Sequence, residues 1–121
     1  MADIIGTPES DFFVGTPEPD QMLGLAGNDT LLGSTADDTI YGNQGDDVLG
    51  GNEQNDTVYG GQGQDLVRGG QNDDQLLGDS GNDTLFADFG YDTVFGGSGA
   101  DLINGNQNDD VLNGNEGNDT I

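Results

Sequence analysis

Apolar residues return at every ninth position along this chain. The stretch Gly96-Gly97-Ser98-Gly99-Ala100-Asp101-Leu102-Ile103-Asn104 sets the frame: glycine at positions 1, 2 and 4, aspartate at 6, an apolar residue at 8. Stepping by nine in both directions gives 13 units, starting at residues 6, 15, 24 and onward to 114, with no insertion or deletion. Position 8 is apolar in all of them, from Phe13 and Met22 to Leu112 and Ile121, and Ile4 extends the row backwards. Position 6 is aspartate throughout, and position 1 is glycine in every unit except the one that opens on Ala87. A fixed short period is the mark of a solenoid and outranks local propensity.

Within each unit the pattern predicts a turn over positions 1–6 and a short strand over positions 7–9, as in Thr93-Val94-Phe95. Alternation puts position 8 on one face of the strand and positions 7 and 9 on the other. With two units per coil, odd turns stack on one flank and even turns on the other, in a rod on the order of 30 Å long. A second period of 18 supports this pairing: position 4 is glycine in the odd units from Gly27 onward, but Ala36, Gln54, Asn72 and Asn108 in most even ones. Left-handed backbone costs glycine little and alanine or glutamine more, so the odd flank is expected to carry the better-formed turns. Residues 1–23 hold a lead-in and two degenerate units with all three prolines (Pro8, Pro17, Pro19), and read as an N-terminal cap. Residues 24–121 are the regular repeat. It breaks off at Ile121 on position 8 without a capping sequence, so the chain is expected to be a segment of something longer.

Charge changes the picture. The formal net charge is −23, from 24 acidic residues against the single Arg68. Nucleic acid and anionic membranes are gripped through basic patches, which this chain lacks, so cations are the expected partners. No apolar run reaches the length of a membrane span, and Met1-Ala2-Asp3-Ile4-Ile5 has neither the basic nor the apolar region of a secretory signal. There is no cysteine, hence no disulfide or thiolate metal site, and no histidine, the commonest general base. With the carboxylates tied to the repeat, no nucleophile–base pair is left, and the chain is not expected to be an enzyme. A hydrophobic content of 31% alone suggests disorder, but a disordered tail needs no aspartate at every ninth position.

The nonapeptide resembles that of the RTX (repeats-in-toxin, hemolysin-type) calcium-binding proteins, Gly-Gly-x-Gly-x-Asp-x-apolar-x. Gly60-Gly61-Gln62-Gly63-Gln64-Asp65-Leu66-Val67-Arg68 and the stretch from Gly96 match every specified position. The resemblance implies an all-β fold, a right-handed parallel β-roll (β-solenoid) with two nonapeptide units per coil. It also implies calcium ions held between turns of the same flank by position-6 carboxylates and turn carbonyls. One row would comprise Asp29, Asp47, Asp65, Asp83, Asp101 and Asp119, with the carbonyls of Gly27, Gly45, Gly63, Gly81, Gly99 and Gly117. The other would comprise Asp38, Asp56, Asp74, Asp92 and Asp110. Asp11 and Asp20 extend the rows into the degenerate units, where Glu9 and Glu18 replace the position-4 glycine. By the same resemblance the parent protein is bacterial, leaves the cell by type I secretion and folds outside.

Calcium's own chemistry agrees, since it takes 6–8 oxygens and mixes carboxylates with backbone carbonyls. Without metal, the rows set aspartates one strand spacing apart, at ~1 kcal/mol per neighbour even in water. Thirteen turns allow at most 11 same-flank pairs (13 − 2), so 11 ions would bring +22 against −23. Folding and calcium binding are therefore expected to be one process, and the module a folding switch, spacer or scaffold. Two surface features suggest other roles. Position 9 of the even units reads Leu23, Tyr41, Tyr59, Leu77, Phe95 and Asn113, an outward stripe. Through Tyr41, Tyr59, Leu77 and Phe95, or through the rod ends, an adhesive module would self-associate. Threonines at position 7 (Thr30, Thr39, Thr57, Thr84, Thr93, Thr120) would order water as in ice-binding solenoids, but Val48, Leu66, Gln75, Leu102 and Val111 interrupt them. The acids at position 5, Asp37, Asp46, Asp73 and Asp109, read as solvated turn residues.

Overall fold

The computed structural model describes residues 2–121. These residues form 13 strands and no helix. The first seven strands are β1 (Ala2–Ile5), β2 (Phe12–Val14), β3 (Asp20–Leu23), β4 (Thr30–Ser34), β5 (Thr39–Gln44), β6 (Val48–Glu53) and β7 (Thr57–Gln62). Then come β8 (Leu66–Gln71), β9 (Gln75–Ser80), β10 (Thr84–Phe89), β11 (Thr93–Ser98), β12 (Leu102–Asn104) and β13 (Val111–Glu116). Odd-numbered strands make one sheet of seven and even-numbered strands a second sheet of six, each in sequence order. All pairings are parallel, and the register advances 18 residues per coil, with Ile40 beside Val58 and Val58 beside Leu76. The chain is thus a parallel β-roll with two nonapeptide units per coil.

All but β2 and β12 of the strands are longer than the three residues that the pattern suggests. β5 covers positions 7–9 of one unit and 1–3 of the next, and Asn43 and Gln44 still pair with Gly61 and Gln62. The pleat turns position 1 inward, and its glycine lets neighbouring coils approach where a side chain would collide. Three residues of each stretch therefore face inside: Asp38, Ile40 and Gly42 are all buried, two apart in sequence. The turn proper is left with positions 4–6. Positions 2 and 4 have positive φ in every unit from Gly24 onward, Gly45 at 125° and Gln54 at 81° alike. The flanks accordingly do not differ in backbone as expected: Ala36 and Gln54 take the same left-handed conformation as the odd-flank glycines, at ~1–2 kcal/mol each.

Position-8 side chains fill the narrow interior. Met22, Ile40, Val58, Leu76 and Val94 come from one sheet and Leu31, Leu49, Val67, Leu85 and Ile103 from the other, all buried. Ile4, Phe13 and Leu112 pack against them, while Ile121 is exposed. Outside, Tyr41 and Tyr59 stack one coil apart, with ring centroids separated by 4.7 Å. The Arg68 guanidinium lies 4.6 Å from the Phe86 ring centroid and 3.4 Å from an Asp88 carboxylate oxygen.

Candidate metal centre

The position-6 aspartate ends each turn and leads into the strand, and alternation with the position-8 residue sends its side chain inside. Asp47 shows the arrangement. Its Oδ1 accepts the Asp29 N–H, one coil back, at 2.8 Å, and its own N–H donates to Asp65 Oδ1 at 2.8 Å. Eleven such links, 2.7–3.0 Å long, run from Asp11–Asp29 to Asp101–Asp119 and bind each row into a chain. The aspartate carbonyl is engaged as well: Asp29 C=O accepts the Val48 N–H at 2.8 Å. All eleven carboxylates from Asp29 to Asp119 named by the repeat stand in the two rows, with Asp110 and Asp119 only half-buried at the end of the roll.

The second carboxylate oxygen has no such partner. Among the described residues, Oδ2 of Asp29, Asp38, Asp47, Asp56, Asp65, Asp74, Asp83, Asp92 and Asp101 is buried without a hydrogen bond. An unsatisfied buried acceptor costs ~1–3 kcal/mol, and more when charged. Burial first, then like charge from neighbouring aspartates, lifts these carboxyls from 3.8: Asp38, Asp65 and Asp92 to about 6, Asp56 and Asp83 to about 7, Asp74 to about 8. Backbone N–H donors offset only part of the rise. Asp29, Asp47 and Asp101 are raised for the same first reason, burial.

What the orphaned oxygen faces is the position-1 glycine. A Cβ on Gly60 would lie 2.6 Å from Asp65 Oδ2 and 2.8 Å from the Gly78 carbonyl oxygen. Over Gly24 the same pair is Asp29 Oδ2 at 2.5 Å and the Gly42 carbonyl at 2.6 Å. A carboxylate oxygen and a carbonyl oxygen of the next coil thus converge on a space kept open by the missing Cβ. Oxygens gathered without a proton donor between them suit a hard cation. No group of three carboxylates meets among the described residues, so the donor set draws on carbonyls. The position-1 glycines, absent from the ligand set anticipated from sequence, supply these carbonyls. The anticipated Gly27, Gly45, Gly63, Gly81 and Gly99 carbonyls point along the stack at the Cα of the position-4 glycine one coil on.

Asp11 and Asp20 are differently held. Thr16 donates its N–H to Asp20 Oδ2 at 2.6 Å and its hydroxyl to Oδ1 at 3.0 Å, and Thr7 does the same for Asp11 at 2.6 and 3.2 Å. A threonine at position 2 thereby satisfies inside the turn what the regular units leave open. The position-5 acids also do more than face solvent. Asp46 Oδ1 accepts the Gln64 N–H at 2.8 Å, Asp37 Oδ1 the Asn55 N–H at 3.0 Å and Asp73 Oδ1 the Tyr91 N–H at 3.0 Å. The sequence signal for this outer ladder is the short oxygen-bearing side chain at position 5, including Ser10, Asn28, Asn55 and Asn82.

A model of the family described as RTX calcium-binding nonapeptide repeat (4 copies) matches residues 5–34, 23–58, 50–85, 59–94 and 87–121. A search of curated proteins found no match. Among the described residues no helix is long and apolar enough to cross a membrane. RTX nonapeptide repeats bind calcium and form a structural family not known for enzymes. The orphaned Oδ2 atoms and the glycine cradles fit that ion. Period, roll and carboxylate rows are one pattern, and the chain belongs to the RTX calcium-binding nonapeptide repeat family.

Proposed function

We propose that this calcium-binding module folds only as calcium enters its two rows, and that it works as a folding switch, spacer or scaffold in a secreted bacterial protein. The observation that carries the reading is the set of nine buried Oδ2 atoms without a donor, eight of them beside a bare glycine Cα. Position-6 carboxylates from Asp29 to Asp119, with backbone carbonyls of the stacked units, would hold the ions. A bound divalent ion supplies each orphaned oxygen with a partner and cancels the repulsion along the row. In calcium-poor cytosol the rows repel and the chain stays open; extracellular calcium modules work at 10⁻⁴–10⁻³ M, where the roll would close. Membership in a family of secreted bacterial proteins supports the extracellular placement. Residues 1–23 serve as the N-terminal cap, supported by Thr7 and Thr16 saturating their aspartates without metal. The ion count then lies below the ceiling of 11 same-flank pairs, near the nine orphaned oxygens.

Circular dichroism in EDTA and in millimolar calcium at pH 8 tests the coupling. Strand signal should appear only with calcium; full signal in EDTA sinks it. A second reading, self-association through Tyr41, Tyr59, Leu77 and Phe95, is favoured by the outward row that these residues share on one sheet. The tyrosines already spend one ring face on each other. A monomer in sedimentation at millimolar calcium removes that reading.

A further inference from the structure

We propose that the Asp92 cradle takes no calcium because the Ala87 methyl fills it, so that the even-flank ion row is split while the odd-flank row is continuous. The inference rests on the calcium reading above and concerns one position in it. The register sets Ala87 between Gly69 and Gly105, since Phe86 pairs with Arg68 and Asn104 on either side. At Gly69 a Cβ would stand 2.6 Å from Asp74 Oδ2 and 2.7 Å from the carbonyl oxygen of Ala87 itself. At Ala87 that Cβ is real, and the residue is wholly buried. By the repeat, its methyl occupies the space shared by Asp92 Oδ2 and the Gly105 carbonyl. Calcium needs 6–8 oxygens at 2.3–2.6 Å, and a methyl group in that space takes the ion's place without offering a lone pair.

The rest of the coil is undisturbed. Asp74 N–H still donates to Asp92 Oδ1 at 2.7 Å, and Asp92 N–H to Asp110 Oδ1 at 2.9 Å. The alanine therefore removes a cation space and leaves the hydrogen-bonded framework closed around it. Asp92 Oδ2 remains buried and unpartnered like its neighbours, so a glycine at residue 87 would restore the common arrangement.

The test counts bound calcium by native mass spectrometry and calorimetry, titrating calcium alone into wild type, Ala87→Gly and Gly60→Ala. Ala87→Gly should bind one ion more than wild type. Gly60→Ala, which puts the same methyl beside Asp65, should bind one fewer. Equal counts for wild type and Ala87→Gly, with calcium bound by both, overturn this inference and leave the calcium reading standing. Calcium bound by none of the three overturns both.

Discussion

Acid should do part of what calcium does. The perturbation is pH in the absence of metal. Six aspartates of the rows have folded-state values of about 6 to about 8 against 3.8 in an open chain, with burial the leading cause. These values are raised, so the folded roll binds more protons than the open chain. Its proton-linked stability is fully present below about pH 4 and is lost as the pH climbs through 6–8. Each extra proton held by the folded state gives a slope of about 1.4 kcal/mol per pH unit, so even a few such protons, with solvent screening part of the effect, amount to several kcal/mol between pH 5 and pH 8. That is comparable with the whole stability of a small domain. The metal-free chain should therefore show strand signal near pH 4.5 and lose it by pH 8, and calcium at pH 8 should restore it. The assay is far-ultraviolet circular dichroism at low micromolar concentration, since the isoelectric point near 4.1 limits solubility. Equal strand signal at pH 4.5 and pH 8 without metal would refute the reasoning. A transition confined to pH 4, where exposed carboxylates titrate, would show that the buried rows do not govern it.

Four substitutions probe single parts of the roll. Asp65→Asn keeps an oxygen for the Asp47 N–H but turns Oδ2 into a donor facing the Gly78 carbonyl; calorimetry should find at least one calcium fewer, and the metal-free chain should gain strand signal at pH 8. Gln54→Gly relieves a left-handed glutamine and should stabilise the calcium-loaded roll by ~1 kcal/mol in urea unfolding. Tyr59→Ala removes the stacked ring on Tyr41 and should cost ~0.5–1.5 kcal/mol beyond the lost burial, with the calcium count unchanged. Thr16→Val deletes the hydroxyl donor to Asp20 and should cost ~1.5–3 kcal/mol in the same unfolding experiment, again without changing the calcium count.

The coil and its register were legible because they rest on period alone: an aspartate and an apolar residue at fixed steps fix two units per coil, and Ile40 beside Val58 follows. The inner role of position 1 was not legible. Glycine there looks like turn punctuation, as it does at position 4, and only in the folded roll does the Cα of Gly60 face Asp65 while that of Gly63 faces the Gly45 carbonyl. Strand length is hidden for the same reason: glycine is a poor strand former on propensity, yet Gly42 sits buried in the middle of β5. The Asp37, Asp46 and Asp73 acceptor ladder escaped because a turn acid facing water and one facing the next coil's N–H share the same local sequence. Thr7 and Thr16 looked like degeneration beside proline, whereas each occupies the position from which a hydroxyl reaches its own aspartate.

The two ladders explain why aspartate, and not asparagine, holds position 6. At position 5 the side-chain oxygen accepts from the coil ahead, Asn28 from Asp46 and Asp46 from Gln64, and asparagine and aspartate serve alike. At position 6 the oxygen accepts from the coil behind, Asp47 from Asp29, and a single oxygen would be enough for that bond. A position used only to close the coil would therefore admit asparagine as position 5 does, yet position 6 is aspartate in all 13 units. The surplus is the second oxygen and its charge, set over the glycine whose missing Cβ leaves room for it and for the next coil's carbonyl. In the cap units that surplus is taken up by threonine donors; in the regular units it is aimed at a carbonyl, an arrangement that favours the metal-free roll only when protonated and the loaded roll whenever a divalent ion can reach it.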